Sequence, residues 1–151
     1  PYISGGLKVE EGNNCRISAH STLSGRVHGD NPATLTIGDN VDIGWMTTIA
    51  SGRQVNIGHN VRIAGRAFFA GYPGHPLNAE QRALGLPDLD EQIGDINLED
   101  DVWLATGVSV MAGVTIGKGT IVAAGSVVTR SLPANVLAGG VPAVVINTLE
   151  A

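Results

Sequence analysis

Aromatic residues are scarce in this chain: they make up 4% of 151 residues, against 21 glycines. That rules out a core built around large flat side chains and leaves Val, Ile, Leu and Ala to fill narrow layers. There is one cysteine, Cys15, so no internal disulfide can form, and a lone thiol is more often a small buried hydrophobe than a nucleophile. No apolar run approaches the ~18 residues of a membrane-crossing helix, and no charged leader precedes an apolar segment. The expectation is therefore a cytoplasmic protein without a membrane partner. Basic runs are missing too: 9 Lys and Arg face 14 Asp and Glu, for a net charge of −5, which argues against a nucleic-acid surface. Asn-Gly hairpin signals and period-two alternation are absent, which argues against a Gly-rich antiparallel sandwich. What is present is 43% hydrophobic residues, enough for one core in a single domain over 1–151.

Those hydrophobic residues recur every six positions. From Ile37 the chain reads IGDNVD, IGWMTT, IASGRQ, and after Val55 and Asn56 it resumes as IGHNVR, IAGRAF. Past a break it returns as LEDDVW, LATGVS, VMAGVT, IGKGTI, VAAGSV, and weaker units begin at Ile17 and Leu23. A period of six fits neither a lone helix at 3.6 nor a lone strand at 2. It fits a coil of three short strands with a turn after each, the first residue of each hexad pointing inward and a small fifth residue filling the corner. One coil cannot bury its inner face, so coils must stack, and about four are expected here. The glycine excess and the aromatic shortage then have one cause, since sharp corners need positive φ or close packing.

Between 70 and 97 the repeat stops. This insert is too long and polar for a narrow coil and is expected to protrude as a loop. Within it NAEQRALG suits a short helix capped by Asn78 and ended by Gly85. Asp88, Asp90, Glu91, Asp95, Glu99, Asp100 and Asp101, half the acids of the chain, are expected to be a solvated flank. The loop also contains GYPGHPLN, in which Gly74 permits a close turn and Pro76 sets the exit, so His75 is held at a defined place. A neutral imidazole can take the proton of an alcohol as it attacks, which makes His75 the candidate general base.

From Val102 to Leu149 the charged residues are Lys118 and Arg130, both positive. A polyanionic ligand would meet no acidic repulsion along this half. The phosphates of such a ligand would suit Arg130 with Thr129 beside it, and a thin arm would suit small residues such as Ala105, Ala123, Ala124 and Gly125. Asp42, Glu80 and Arg82 are candidate acceptor contacts, and Trp45 and Tyr72 complete that set. Trp45, Phe68, Phe69 and Tyr72 are expected on the outside of a single solenoid, where they could line a subunit boundary.

The hexads, the GHP loop and the ending AAGSVVTR followed by GGVPA resemble the hexapeptide-repeat acyltransferases, most closely the maltose and galactoside O-acetyltransferase branch. The resemblance covers roughly 17–146. It implies an all-β fold, a left-handed parallel β-helix with one protruding loop and a C-terminal tail over 129–151. It also implies an acetyl-coenzyme A-dependent enzyme without a metal, acting on a small-molecule acceptor as a homotrimer with sites between subunits. His75 takes the place of the family's catalytic histidine. Trp103 lines the cleft, Ala105 and Thr106 sit beside the thioester with a backbone N–H near Thr106 facing the oxyanion, and Ala124, Thr129 and Arg130 lie toward the nucleotide. Transfer is expected to be direct, in a ternary complex, rather than through a Cys15 acyl-enzyme. Weak repeat units begin almost at once where that branch opens with a helical segment, and its asparagine near Gly44 or Trp45 is not found, so the acceptor is not carried over; a sugar hydroxyl, free or within a glycan, is the expectation. A non-catalytic scaffold is the alternative. The γ-type carbonic anhydrases share the solenoid, but two of their three zinc histidines have four residues between them, and His20, His28, His59 and His75 offer no such pair.

Overall fold

A chain with one inward aliphatic residue in every six must turn after each short strand. In the computed structural model, which describes residues 1–150, it does so three times per coil, producing a left-handed parallel β-helix with three flat sheets. The first sheet stacks Tyr2–Ser4, Thr22–Gly25, Thr48–Ser51, Phe68–Ala70, Ser109–Met111 and Val127–Val128; the second stacks Lys8–Glu11, Thr34–Ile37, Gln54–Ile57, Ile96–Leu98 and Thr115–Ile116. The third runs from Arg16–Ile17 through Asp42–Ile43, Arg62–Ile63, Trp103–Leu104 and Ile121–Val122 to Val136–Gly140, and the antiparallel strand Ala143–Thr148 closes its end. Five complete coils and part of a sixth result, more than the four expected. The additional one, Tyr2 to Ile17, is the first of the stack; among the described residues nothing pairs with its outer side, and its hexad pattern is relaxed.

Parallel register places like positions over one another, so the core consists of columns. In the first sheet Leu23, Ile49, Phe69, Val110 and Val128 stack in turn, and none is more than 1% exposed. Ile43, Ile63, Leu104, Val122 and Ala138 form the column of the third sheet, and Ile37, Ile57, Leu98 and Ile116 one column of the second. The small fifth residues Val102, Val108, Val114, Thr120 and Ser126 are buried at the corners. Phe69 corrects the expectation that it would be exposed: counting from Ile57 and Ile63 it is the next hexad start, so its ring enters the core while Phe68 faces out, 43% exposed.

The corners stack as well. Asn14, Asn40, Asn60, Asp101 and Asn135 take left-handed backbone at one corner, where Asn and Asp tolerate it best among residues with a Cβ. After the first coil each of these corner N–H groups is donated to the preceding coil, as in Asn60 to Asp39 O at 2.9 Å and Asp101 to His59 O at 2.9 Å. Among the described residues no helix is long and apolar enough to cross a membrane.

If the stacked columns supply the stability, position within the stack should decide the effect of truncation. Leu104→Ala, fully buried with coils on both sides, is expected to destabilise by about 2–5 kcal/mol. Ile3→Ala in the end coil, where the side chain is 49% exposed, should cost less than ~1 kcal/mol. Denaturant unfolding of the two variants checks this; equal losses would contradict a core that runs continuously through the coils.

Candidate active site

The excursion begins after Phe68–Ala70 and rejoins the solenoid at Ile96–Leu98. Its neck is tied by backbone bonds: Gly71 N–H donates to Ala50 O at 2.8 Å, and Gly94 N–H donates to Gly71 O at 3.1 Å. A Cβ on Gly71 would stand 2.3 Å from Ala50 O, so only glycine fits where the chain leaves the coil. Inside the loop Asn78 Oδ1 accepts from Gln81 N–H at 3.0 Å, which caps the helix Ala79–Ala83, and Gly85 ends it with φ +72°.

His75 is exposed on the first turn of this excursion, and its backbone is what holds it. Gly74, with φ +85°, donates its N–H to Asp88 Oδ2 at 2.8 Å. The His75 carbonyl accepts from Gln92 Nε2 at 3.1 Å, and Pro76 is buried. Arg82, expected as an acceptor contact, donates to Pro76 O at 3.2 Å and to Leu77 O at 3.0 Å, so its guanidinium is engaged by the turn. Tyr72 donates its hydroxyl to Ser24 Oγ at 3.1 Å, and Glu80 is exposed in the helix's first turn. A cleft of about 290 Å³ opens next to this turn, lined by Ser4, His28, Tyr72 and Gly74 among others.

Asp88 departs from the solvated flank expected for the acidic run. Its side chain is 2% exposed and meets Arg26, itself 3% exposed. Arg26 Nε donates to Asp88 Oδ1 and Nη2 to the Asp88 carbonyl, each at 2.7 Å, while Nη1 reaches Asp90 Oδ1 at 2.7 Å. A charge survives such burial when its partners supply what water would have. Desolvation pulls the Arg26 pKa down, and the hydrogen bonds and charges of Asp88 and Asp90 outweigh it, leaving the guanidinium above its ordinary value. Asp90, which is solvent-exposed, is held below the usual carboxylate value by its hydrogen bond and charge interaction with Arg26. Sequence reasoning missed Arg26 and Gln92 and misplaced Asp88. One signal existed: Ser-Gly-Arg occurs at 24–26 and again at 51–53, one coil apart, with Arg26 N–H donating to Ser51 O.

The other candidates lie on different faces. Trp103 stands on the third sheet, 49% exposed. Thr106 occupies the corner between the third and first sheets, stacked with Trp45 on one side through Gly65 and Arg66 and with Ala124 and Gly125 on the other; Ala105 and Ala123 adjoin them. The Arg66 guanidinium lies 4.9 Å above the Trp45 ring. Thr129 and Arg130 follow Val127–Val128, exposed at the opposite edge of the first sheet, the edge from which the excursion also departs. His75 and Thr106 thus flank that sheet on opposite edges in one chain. Asp42 is engaged by Arg16 and by Arg62, whose Nε lies 3.1 Å away. Cys15 is half-buried with its thiol donating to Gly38 O at 3.1 Å. His20, His28 and His59 are exposed, and among the described residues no three metal-ligating side chains cluster.

Residues 95–130 match the bacterial transferase hexapeptide repeat. The chain is 40% identical over 120 residues to a Saccharomyces cerevisiae protein provisionally named an acetyltransferase, covering 80% of this chain and 59% of that one. It is 31% identical over 125 residues to galactoside O-acetyltransferase of Escherichia coli K12, covering 79% of this chain and 59% of the relative. The chain therefore spans about three fifths of the length of these relatives. Its fold is shared with a serine-to-alanine variant of AntD, an N-acyltransferase from Bacillus cereus solved with dTDP-4-amino-4,6-dideoxyglucose and coenzyme A, at a TM-score of 0.74 and 22% identity over 99% of this chain and 81% of that one.

The Asp90 to Arg26 pairing carries a pH signature. A carboxylate whose pKa is lowered on folding stabilises the folded state above its ordinary value of 3.8 and loses that contribution as the pH falls through the lowered one. Asp90→Asn is expected to melt below wild type at neutral pH, with the gap closing on acidification past that value. Melting curves recorded from pH 7 downward test this, and a gap that did not change with pH would contradict the ion pair.

Proposed function

We propose that this chain, a hexapeptide-repeat β-helix related to galactoside O-acetyltransferase, moves an acetyl group from acetyl-coenzyme A to a hydroxyl of a sugar or glycan-like acceptor. The observation that carries the reading is the presentation of His75: an exposed imidazole on a turn in which Gly74 N–H and the carbonyls of His75, Pro76 and Leu77 are hydrogen-bonded by side chains. Such rigidity in a loop is what proton transfer to a positioned base requires.

The mechanism is direct transfer with both substrates bound. His75 takes the acceptor hydroxyl proton as the oxygen attacks the thioester carbonyl, and a backbone N–H near Thr106 meets the developing oxyanion. When the carbon–sulfur bond breaks, the imidazolium returns its proton to the departing thiolate. An oxyanion donor contributes about 3–4 kcal/mol and the base roughly 10²–10⁴-fold, and orientation supplies the remainder. Thr129 and Arg130 hold phosphate, Trp103 flanks the pantetheine arm, and Ala105, Ala123 and Ala124 let it approach the corner closely. Glu80 and Tyr72 stand nearest His75 along the chain to meet the acceptor, with room in the adjoining cleft; Trp45 serves from the Thr106 corner. Arg82 and Asp42 assist through the groups they hold rather than through free charge.

His75 and Thr106 lie on opposite edges of the first sheet, and that supports a homotrimer in which the loop of one copy faces the third sheet and Thr106 corner of the next. The exposed Trp103 and Phe68 suit burial in such a boundary. A reducing compartment such as the cytoplasm accords with the free Cys15.

Calorimetry with acetyl-coenzyme A on wild type and His75→Ala, followed by thiol release with a panel of sugars, tests the reading. Both proteins should bind, and release by the variant should fall by roughly 10²–10⁴-fold. Absence of binding by either would overturn the assignment in favour of a scaffold.

A further inference from the structure

We propose that the buried Arg26–Asp88 pair is the positioning element of His75, transmitting the rigidity of the solenoid to the turn that presents the imidazole. The inference rests on His75 being the general base. Arg26 belongs to the second coil, where its backbone N–H is bonded to Ser51 O, whereas the excursion leaves from the fourth. The loop therefore folds back over the earlier coils, and Arg26 fastens it there beside the Tyr72 to Ser24 hydrogen bond. Asp88 works as a relay: Oδ1 accepts from Arg26 Nε at 2.7 Å, and Oδ2 accepts from Gly74 N–H at 2.8 Å, one residue from His75. The Asp88 carbonyl takes a further bond from Arg26 Nη2, so carboxylate and main chain are both fixed by one planar guanidinium.

Three physical points favour positioning over simple stabilisation. A buried ion pair is often no more stable than an apolar pair of similar volume, so burial of these two side chains, 3% and 2% exposed, does not by itself account for charges there. An apolar pair, however, has no acceptor for Gly74 N–H, and an amide in place of Asp88 turns one donor against another, because a carboxylate alone accepts on both oxygens. Finally, a Cβ on Gly74 would meet nothing within 4 Å: the left-handed turn is not confined by packing, and its conformation depends on the bonds that reach it.

The test compares wild type, Asp88→Asn and the double variant Arg26→Met/Asp88→Leu, which removes the charges together and keeps the volume. Asp88→Asn should lower kcat by roughly 10²-fold, the scale of a ~1 Å displacement of a catalytic group, with KM for acetyl-coenzyme A unchanged. The double variant should melt close to wild type and show the same loss of kcat. In ¹⁵N-labelled protein the Gly74 amide proton should lie downfield in wild type and move upfield in both variants, with the single sharp His75 ring signal broadening. A double variant that folds, turns over at the wild-type kcat and keeps one sharp ring signal would overturn the proposal. Should wild type transfer no acetyl group, the base assignment fails, while the Gly74 and His75 resonances still decide whether this pair holds the turn.

Discussion

The stacking of one inward aliphatic residue per hexad is the constraint from which the rest of this structure follows. Each column, such as Leu23, Ile49, Phe69, Val110 and Val128, is continuous only because successive coils keep parallel register. Parallel strands lie ~4.8 Å apart, so the interior is one side chain wide at each step and is filled by Val, Ile, Leu and small corner residues. It has no room for a substrate. Chemistry has to be placed on the outside, and long inserts have to leave through a corner, as the excursion does where Gly71 admits it. The strands, bonded between coils rather than within them, form a rigid frame from which a loop can be aimed.

The sequence makes the frame readable because hexad periodicity is a local property: a missed residue would shift every later side chain off its column. Ile57, Ile63 and Phe69 share one phase, and Phe69 is misread only when its size is weighed above its position. The first coil is harder to see, since an end coil buries one side and Ile3 is free to be half-exposed. The placement of His75 on a protruding turn is legible from Gly74, Pro76 and the interrupted repeat. What ties that turn is not. Asp88 is the one buried member of its acidic run, and Arg26 and Arg53 share the same tripeptide context although one is buried and the other exposed. Only the path of the loop back over the second coil separates them, and a path of that kind is a tertiary fact without a periodic trace.

Electrostatics divides the molecule in the same way as the fold. Acidic residues gather in and after the excursion, and the C-terminal half presents Lys118 and Arg130 alone from Val102 to Leu149. Within the acidic segment one carboxylate, Asp88, is withdrawn from solvent and satisfied on both oxygens. Exposed pairs such as Arg16 with Asp42 contribute little to stability; a buried pair, whose partner cannot be lost without stranding a charge, constrains geometry far more strongly. In a single chain the tethered imidazole and Arg130 lie toward one edge of the first sheet, and Thr106 with the small corner residues lies at the other. In the proposed trimer a neighbouring copy supplies the missing juxtaposition.

The most direct test of that arrangement is a structure of the protein crystallised with coenzyme A. The account predicts a coenzyme lying along the corner of Thr106 and Ala124, its phosphates toward Arg130. Its sulfur should stand within hydrogen-bond reach of His75 from an adjacent copy. A coenzyme seated on an isolated chain, or one whose sulfur is remote from every His75 in the assembly, would contradict it.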